Sequence, residues 1–184
     1  MALRALCDAN VLYPVYLRDV IAESGMSGLF NPLWSNHLLD EVQTALSRVL
    51  PNAGENFPTI RALLLETFPD SLVIVRQTDY DEFGCSDPDD NLIVAAAVVG
   101  KADVLMTFNT RDFPSDLFER FGITLATPDE FLSQVFLENE ELASFTISNL
   151  LESYVKANMD QKLLAERLHK ARCPNLSRLI SSWR

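Results

Sequence analysis

The chain of 184 residues is poor in the residues that build disulfide frameworks and zinc sites. Its three cysteines, at positions 7, 85 and 173, are an odd number without paired spacing, and its two histidines, His37 and His169, make no ligand spacing. The sequence also lacks any run of eighteen apolar residues, and it reaches an acid at Asp8 too early for a signal peptide. We therefore expect a cytoplasmic protein without structural disulfides or zinc.

Positive charge is scarce. The 15 Lys and Arg stand against 26 Asp and Glu, which gives a net charge of −11. Because phosphate binding needs basic surface, this balance argues against a protein that holds nucleic acid by bulk electrostatics. The deficit is uneven, since residues 1–137 contain 20 acids and 8 bases whereas residues 138–184 contain 6 acids and 7 bases. We therefore expect a main domain at 1–137 and a distinct C-terminal extension at 138–184.

Apolar segments of two kinds alternate through the first 137 residues. Short segments predict strands at Leu3–Cys7, Leu29–Trp34, Leu72–Val75, Val104–Thr107 and Ile123–Leu125. Longer segments predict helices at Asn36–Leu50, Phe57–Phe68, from Pro88 to Val99 and from Pro128 to Leu137, with loops at 52–56 and 79–84. This alternation favours an α/β fold with a central parallel sheet. The extension shows no strand pattern and predicts helices at Glu140–Ala157, at Asp160–Arg172 and after Pro174.

One stretch concentrates negative charge at the start of a buried element. Asp87, Asp89 and Asp90 immediately precede the wholly apolar run Leu92–Val99. Asp87 suits the N-cap, Pro88 suits the first helical position, and the helix dipole favours acids in the first turn, so capping alone could explain them. Other acids, however, also lie at the ends of predicted strands or on an apolar helix face.

Asp8 and Asp112 each follow a predicted strand, where ligands of open α/β sheets collect. Glu41 lies on the apolar face of its helix, between Leu38 and Ala45, whereas Asp40 lines up with a polar side that includes Thr44 and Arg48. A carboxylate turned toward a core is costly unless it is paired or binds a cation. Glu41 is thus a candidate functional acid, and Asp40 is a solvated one.

A parallel sheet would bring Asp8, Glu41, Asp90 and Asp112 to one edge. Four carboxylates without an interleaved lysine repel each other unless a divalent cation neutralises them. Ligation by oxygen alone favours Mg²⁺ or Mn²⁺. Such an ion lowers the pKa of a bound water and stabilises a leaving oxygen, so the implied chemistry is hydrolysis of a phosphate ester.

Four sequence blocks carry a family resemblance. They are Cys-Asp-Ala-Asn-Val-Leu at 7–12, Leu-Leu-Asp-Glu-Val at 38–42, Asp-Pro-Asp-Asp-Asn-Leu-Ile-Val-Ala-Ala-Ala at 87–97 and Thr-Phe-Asn-Thr-Arg-Asp-Phe-Pro at 107–114. In this order they resemble the signature blocks of PIN-domain ribonucleases, especially the VapC-type toxins of bacterial toxin–antitoxin pairs. The resemblance covers about residues 2–135. It implies a three-layer α/β/α fold, a Mg²⁺- or Mn²⁺-dependent endoribonuclease, a homodimer and a cognate antitoxin.

The resemblance also implies roles for individual residues. Asp8, Glu41 and Asp90 match the family's first three catalytic and metal-binding acids, and Asp87 could share the third role. The fourth position is open between Asn109 and Asp112, because many members have an acid at the former and others use the latter. Supporting positions match Asn10 and Thr107, and Arg111 is the candidate cation for substrate phosphate.

Two other functions compete with this interpretation. A phosphatase of the haloacid-dehalogenase type also begins with a strand-end Asp, but that class needs a second acid where this chain has Asn10. A PIN-like module that binds RNA or a partner without cleaving is kept open by the neutral Asn109. The extension is either a packing arm for the core or a dimer, or a basic surface for RNA.

Overall fold

The computed structural model describes residues 2–76, 83, 85, 87–154 and 157–183. Apart from Phe83, the predicted loop at 79–84 lies outside the described residues. Five strands form one parallel sheet: β1 (Arg4–Cys7), β2 (Asn31–Ser35), β3 (Leu72–Val73), β4 (Val104–Met106) and β5 (Thr124–Ala126). Their order is β3-β2-β1-β4-β5, which confirms the expected parallel sheet.

The helices follow the strands in alternation through residue 138. They are α1 (Ala9–Leu12), α2 (Val15–Met26), α3 (Asn36–Val49), α4 (Pro51–Thr67), α5 (Pro88–Val99), α6 (Ser115–Phe121) and α7 (Pro128–Glu138), followed by α8 (Glu140–Ser153), α9 (Gln161–Lys170) and α10 (Pro174–Ser182). A short 3₁₀ turn spans Thr110–Asp112. None of the helices in the described part of the chain is long and apolar enough to cross a bilayer.

Buried side chains alternate along the central strands and thereby make two cores. Ala5 and Cys7 of β1 join the core that contains α2 and α7, whereas Leu6 joins the one that contains α5 and α6. The same alternation separates Met106 from Leu105 in β4. Because successive side chains of a strand point to opposite faces, helices cover both sides of the sheet. The fold is thus a three-layer α/β/α sandwich, as predicted.

Helices α8, α9 and α10 extend the first of these cores. Ile147 of α8, Leu164 of α9 and Ile180 of α10 are buried in it together with Val20 and Ile21 of α2. The helix α2 packs directly against α8 and α9, and α10 packs against α7 and α9. The extension therefore covers α2 and α7, while its standing as a separate domain at 138–184 stays a prediction.

The predicted loop at 52–56 is wrong, because α4 already begins at Pro51. Proline fits the first helical position as well as it ends a helix, since the missing N–H is unpaired there anyway. Gly54 lets α4 approach α3, since a Cβ on it would lie 2.2 Å from the Ser47 hydroxyl oxygen. Phe57 is then fully buried in the core, which stabilises the helix across this stretch.

Candidate active site

The topology reverses between the two central strands. From β1 the chain moves outward through β2 and β3, and it then returns through α5 to β4 on the other side of β1. In an open α/β sheet this reversal leaves a crevice beyond the carboxyl ends of the strands. Asp8 directly follows β1 and Asn109 closely follows β4, while α3 and α5 begin at the same edge. The fold thus directs four separate sequence blocks to one crevice.

An open cleft of about 740 Å³ occupies this crevice. Its charged and amide side chains are Asp8, Asn10, Glu41, Arg48, Asp89, Asp90 and Asn109, and Tyr13 contributes an aromatic ring. Acids therefore dominate its charged lining, with four carboxyl groups and one guanidinium among the described residues. Of the predicted acids, Asp8, Glu41 and Asp90 share this cleft.

Asp8 is held in a fixed orientation by two neighbours. Its Oδ2 accepts hydrogen bonds from the Thr107 hydroxyl at 2.6 Å and from Asn10 Nδ2 at 2.5 Å. Asn10 also donates to the Thr107 hydroxyl oxygen at 3.1 Å and accepts from the Phe108 N–H at 3.1 Å. The ends of β1 and β4 are therefore joined through the side chain of Asp8. Burial raises the pKa of Asp8, and the hydrogen bonds from Thr107 and Asn10 oppose that shift.

Asp90 lies in the first turn of α5, one of the two acids that follow the N-cap. Asp87 accepts a hydrogen bond from the Asp89 N–H at 3.0 Å, so it caps α5 as predicted. Burial and then repulsion from Asp87, Asp112 and Asp8 raise the pKa of Asp90 to about 6. Burial of the carboxyl group and, after it, the neighbouring acids thus raise this pKa at a helix start where the dipole favours the charged form.

Glu41 is the third acid of the cleft and projects from α3. Burial raises its pKa, His37 lowers it, and repulsion from Asp8, Asp89 and Asp90 raises it further. His37 lies one turn before Glu41 on α3, and its Nε2 is 3.6 Å from Glu41 Oε1, so a protonated His37 would form an ion pair with this acid.

The acids share the cleft without forming a closed ligand set. Within the described residues, no three side chains of His, Cys, Asp and Glu are arranged so that they could already hold a metal ion. Mutual repulsion and the contact with His37 both favour separation of these acids. The donor chemistry nevertheless fits Mg²⁺ or Mn²⁺, because every acidic donor in the cleft is a carboxylate oxygen.

The structure separates the two candidates for the fourth position. Asn109 lines the cleft, whereas Asp112 lies in the exposed 3₁₀ turn and is absent from the described lining, as is its neighbour Arg111. Asp112 still contributes to the raised pKa of Asp90. The negative charge of Asp112 therefore affects the pKa of Asp90 from outside the cleft lining, whereas the neutral amide of Asn109 is part of that lining.

Sequence reasoning did not assign four polar side chains of this wall to the site: Tyr13, Thr44, Arg48 and Asp89. It placed Arg48 on the polar side of α3 with Asp40, yet Arg48 lines the cleft and Asp40 pairs with Arg61. At 3.6 residues per turn, seven residues bring Arg48 almost back to the direction of Glu41. The spacing could have revealed this residue.

Comparison with known proteins decides the family. The profile of the PIN domain matches residues 4–111, which is more than half of the chain and includes Asp8, Glu41 and Asp90. The chain belongs to the PIN-domain family. The Mycobacterium tuberculosis protein named "Putative ribonuclease VapC50" is 32% identical over 66 residues, which is 36% of this chain and 39% of that protein. The chain thus spans about two fifths of the length of this relative. No solved structure matches this chain significantly.

Membership of the PIN-domain family favours a nuclease as the class of activity. It also agrees with the parallel three-layer fold and with the position of the acidic cleft at the reversal point of the sheet.

Proposed function

We propose that this PIN-domain protein is a divalent-metal-dependent endoribonuclease that hydrolyses RNA phosphodiester bonds. The observation that supports it best is the presence of Asp8, Glu41 and Asp90 in one open cleft at the reversal point of the sheet. The pKa values of Glu41 and Asp90 are raised first by burial and then by repulsion from neighbouring acids, and a hard cation relieves both effects.

In this proposal Asp8, Glu41 and Asp90 hold Mg²⁺ or Mn²⁺, and Asp87 and Asp112 add negative charge around them. When bound, such an ion supplies an activated water and stabilises charge on the leaving oxygen. The residues of the chain do the remaining work. Thr107 and Asn10 keep Asp8 oriented through the hydrogen bonds at its Oδ2, because a ligand that is fixed before binding loses little freedom.

The test is cleavage of RNA by purified protein with and without Mg²⁺ or Mn²⁺. We expect Asp8→Asn and Asp90→Asn each to lower the rate by at least about 100-fold, since removing a direct ligand exceeds the 10- to 100-fold cost of losing an outer partner. Asp70→Asn, an exposed acid in the turn before β3, is the matched control and should keep full activity. Activity that persists in EDTA, or survives both substitutions, would refute the proposal.

A second candidate function is a PIN-like module that binds RNA or a partner without cleaving. The neutral Asn109 in the cleft wall favours it, because an uncharged side chain weakens a second cation site. Calorimetric titration with Mn²⁺ separates the two candidates. A folded protein that takes up no Mn²⁺ would support the binding module.

We further propose that the protein acts in the cytoplasm as the toxin of a toxin–antitoxin pair, as a homodimer with a cognate antitoxin. The similarity to a protein named as a VapC ribonuclease supports this assignment. A small reading frame beside this gene, whose product binds the protein and stops RNA cleavage, is the expected result. Growth that is unaffected by expression of the active enzyme would contradict a toxin role.

A further inference from the structure

Among the described residues that line the acidic cleft, Arg48 is the one with a cationic side chain. It lies in the last turn of α3 with its side chain exposed. In the described part of the chain it makes no hydrogen bond, ion pair or ring contact, whereas Arg61 pairs with Asp40 on the neighbouring surface. An unpaired guanidinium in the wall of the acidic cleft has its planar set of donors free for an incoming anion.

Three other arginines of the described structure have partners. Arg18 is buried and donates to the Leu12 carbonyl oxygen, and Arg172 lies over the ring of Phe108. Arg178 contacts Asn175 through its guanidinium. Arg111 in the 3₁₀ turn is, like Arg48, without such a contact among the described residues, but it lies outside the cleft lining, so Arg48 is distinguished by its place in the cleft.

Arg48 stands at a fixed offset from the acids. Glu41 and Arg48 are seven residues apart on one face of α3, so they are separated by about 10 Å along the helix axis. Within the described residues the two side chains form no ion pair, since the partner of Glu41 is His37. The Arg48 guanidinium is therefore available to a phosphate farther along the same strand of nucleic acid.

Tyr13 provides an aromatic surface in the same cleft. Its ring is half-buried, packs against the core behind it and still contributes to the cleft wall. Proteins that bind single-stranded nucleic acid combine a cation for the backbone with an aromatic ring on which a base stacks. Arg48 and Tyr13 supply both parts in a protein whose net charge of −11 otherwise repels RNA.

We propose that Arg48 and Tyr13 form a nucleotide subsite beside the acids, in which Arg48 binds a non-scissile phosphate of single-stranded RNA and Tyr13 stacks on a base. This inference rests on the proposed ribonuclease function and specifies how the substrate strand enters the cleft. The side chain of Arg48 positions the strand, and the carboxylates remain the cleaving groups.

The experiment measures binding without cleavage. The probe is a fluorescein-labelled single-stranded RNA of twelve mixed-sequence nucleotides, titrated by fluorescence anisotropy with Asp90→Asn protein in Mg²⁺ at 50 to 200 mM salt. Adding Arg48→Ala should raise Kd about tenfold, a change of about 1.4 kcal/mol. It should also reduce the slope of log Kd against log salt by about 0.7, the value for one phosphate contact on a single strand. Arg48→Lys should keep most of the salt slope.

Tyr13 gives a different signature. Tyr13→Ala should raise Kd about tenfold without changing the salt slope, because stacking of a base on an aromatic ring involves no counterion. Tyr13→Phe keeps the ring and should bind as tightly as its parent. The matched control is Arg178→Ala on α10, which removes an equal charge outside the cleft and should change neither quantity.

The outcomes separate this inference from the function on which it rests. If the wild-type protein cleaves RNA but Arg48→Ala leaves both Kd and salt slope unchanged, the subsite alone is refuted. The same conclusion follows if Arg48→Ala only lowers the unfolding midpoint, which would indicate a cation that serves the helix end. If the wild-type protein neither cleaves RNA nor binds the probe, the proposed function itself is overturned.

Discussion

Replacing Asp90 by Asn should make the protein more stable while it removes activity. The fold raises the pKa of Asp90 from 3.8 to about 6, so keeping this side chain ionised at neutral pH costs folding free energy. At 1.36 kcal/mol per pKa unit the upper limit is about 3 kcal/mol. Because Asp90 is partly exposed, solvent screens the repulsion, and we expect about 1 kcal/mol. Asn removes the charge and keeps the shape.

The sign of the effect fixes its pH dependence. A carboxyl group with a raised pKa in the folded state favours folding fully below its unfolded pKa, and this contribution is lost as the pH rises through the folded pKa. For Asp90 that window is about pH 4 to 6. The stability gained by Asp90→Asn should therefore be largest at pH 7.5 and small at pH 4.5. A gain of 1 kcal/mol corresponds to a rise in Tm of about 2–4 °C for a chain of this size.

Urea denaturation in EDTA at both pH values measures this difference. Asp70→Asn serves as the control, since that acid lies outside the cleft, and it should show no pH-dependent gain. Adding Mg²⁺ should raise the stability of the wild-type protein by linkage and that of Asp90→Asn by less. If Asp90→Asn is destabilised at pH 7.5, or gains equally at both pH values, the reasoning from the raised pKa of Asp90 is refuted.

Two further substitutions test contacts of the fold and the site. Thr107→Val should lower the rate of RNA cleavage about 10- to 100-fold, because it removes the hydroxyl that donates to Asp8 at 2.6 Å. Single-turnover assays should show that Thr107→Ser keeps most of the activity. Full activity of Thr107→Val would contradict a positioning role. Asp129→Ala should lower the free energy of unfolding by about 2–4 kcal/mol, because the buried carboxylate accepts from the backbone N–H groups of Asn175 and Leu176 at the start of α10. Urea denaturation measures this loss, and an unchanged midpoint would show that α10 does not depend on this cap.

Local signals in the sequence predicted much of the fold. Asp87 accepts a hydrogen bond from the Asp89 N–H in the first turn of α5, as its position before Pro88 indicated, and Ser35 accepts one from the Leu38 N–H in the first turn of α3. The alternation of short apolar segments with helices predicted the parallel sheet, because each signal lies within a few residues. Pro51 was misread, since proline suits both the end of one helix and the start of the next.

Part of the site was also predicted from local signals in the sequence. The positions of Asp8, Glu41 and Asp90 follow from strand ends and helix starts, and the topology brings them into one cleft. The pairing of Asp40 with Arg61, in contrast, joins α3 to α4 between residues that are 21 positions apart. Such long-range contacts leave no local pattern in the sequence.

The burial of α8 and α9 against α2 has a consequence for how this gene can change. A premature stop after residue 137 would strip Leu17, Val20 and Ile21 of the side chains that cover them. Apolar surface that becomes exposed to solvent in this way promotes aggregation, so the truncated protein would aggregate and would not work as a smaller enzyme. Evolution can therefore vary the last helices by substitution more readily than it can discard them.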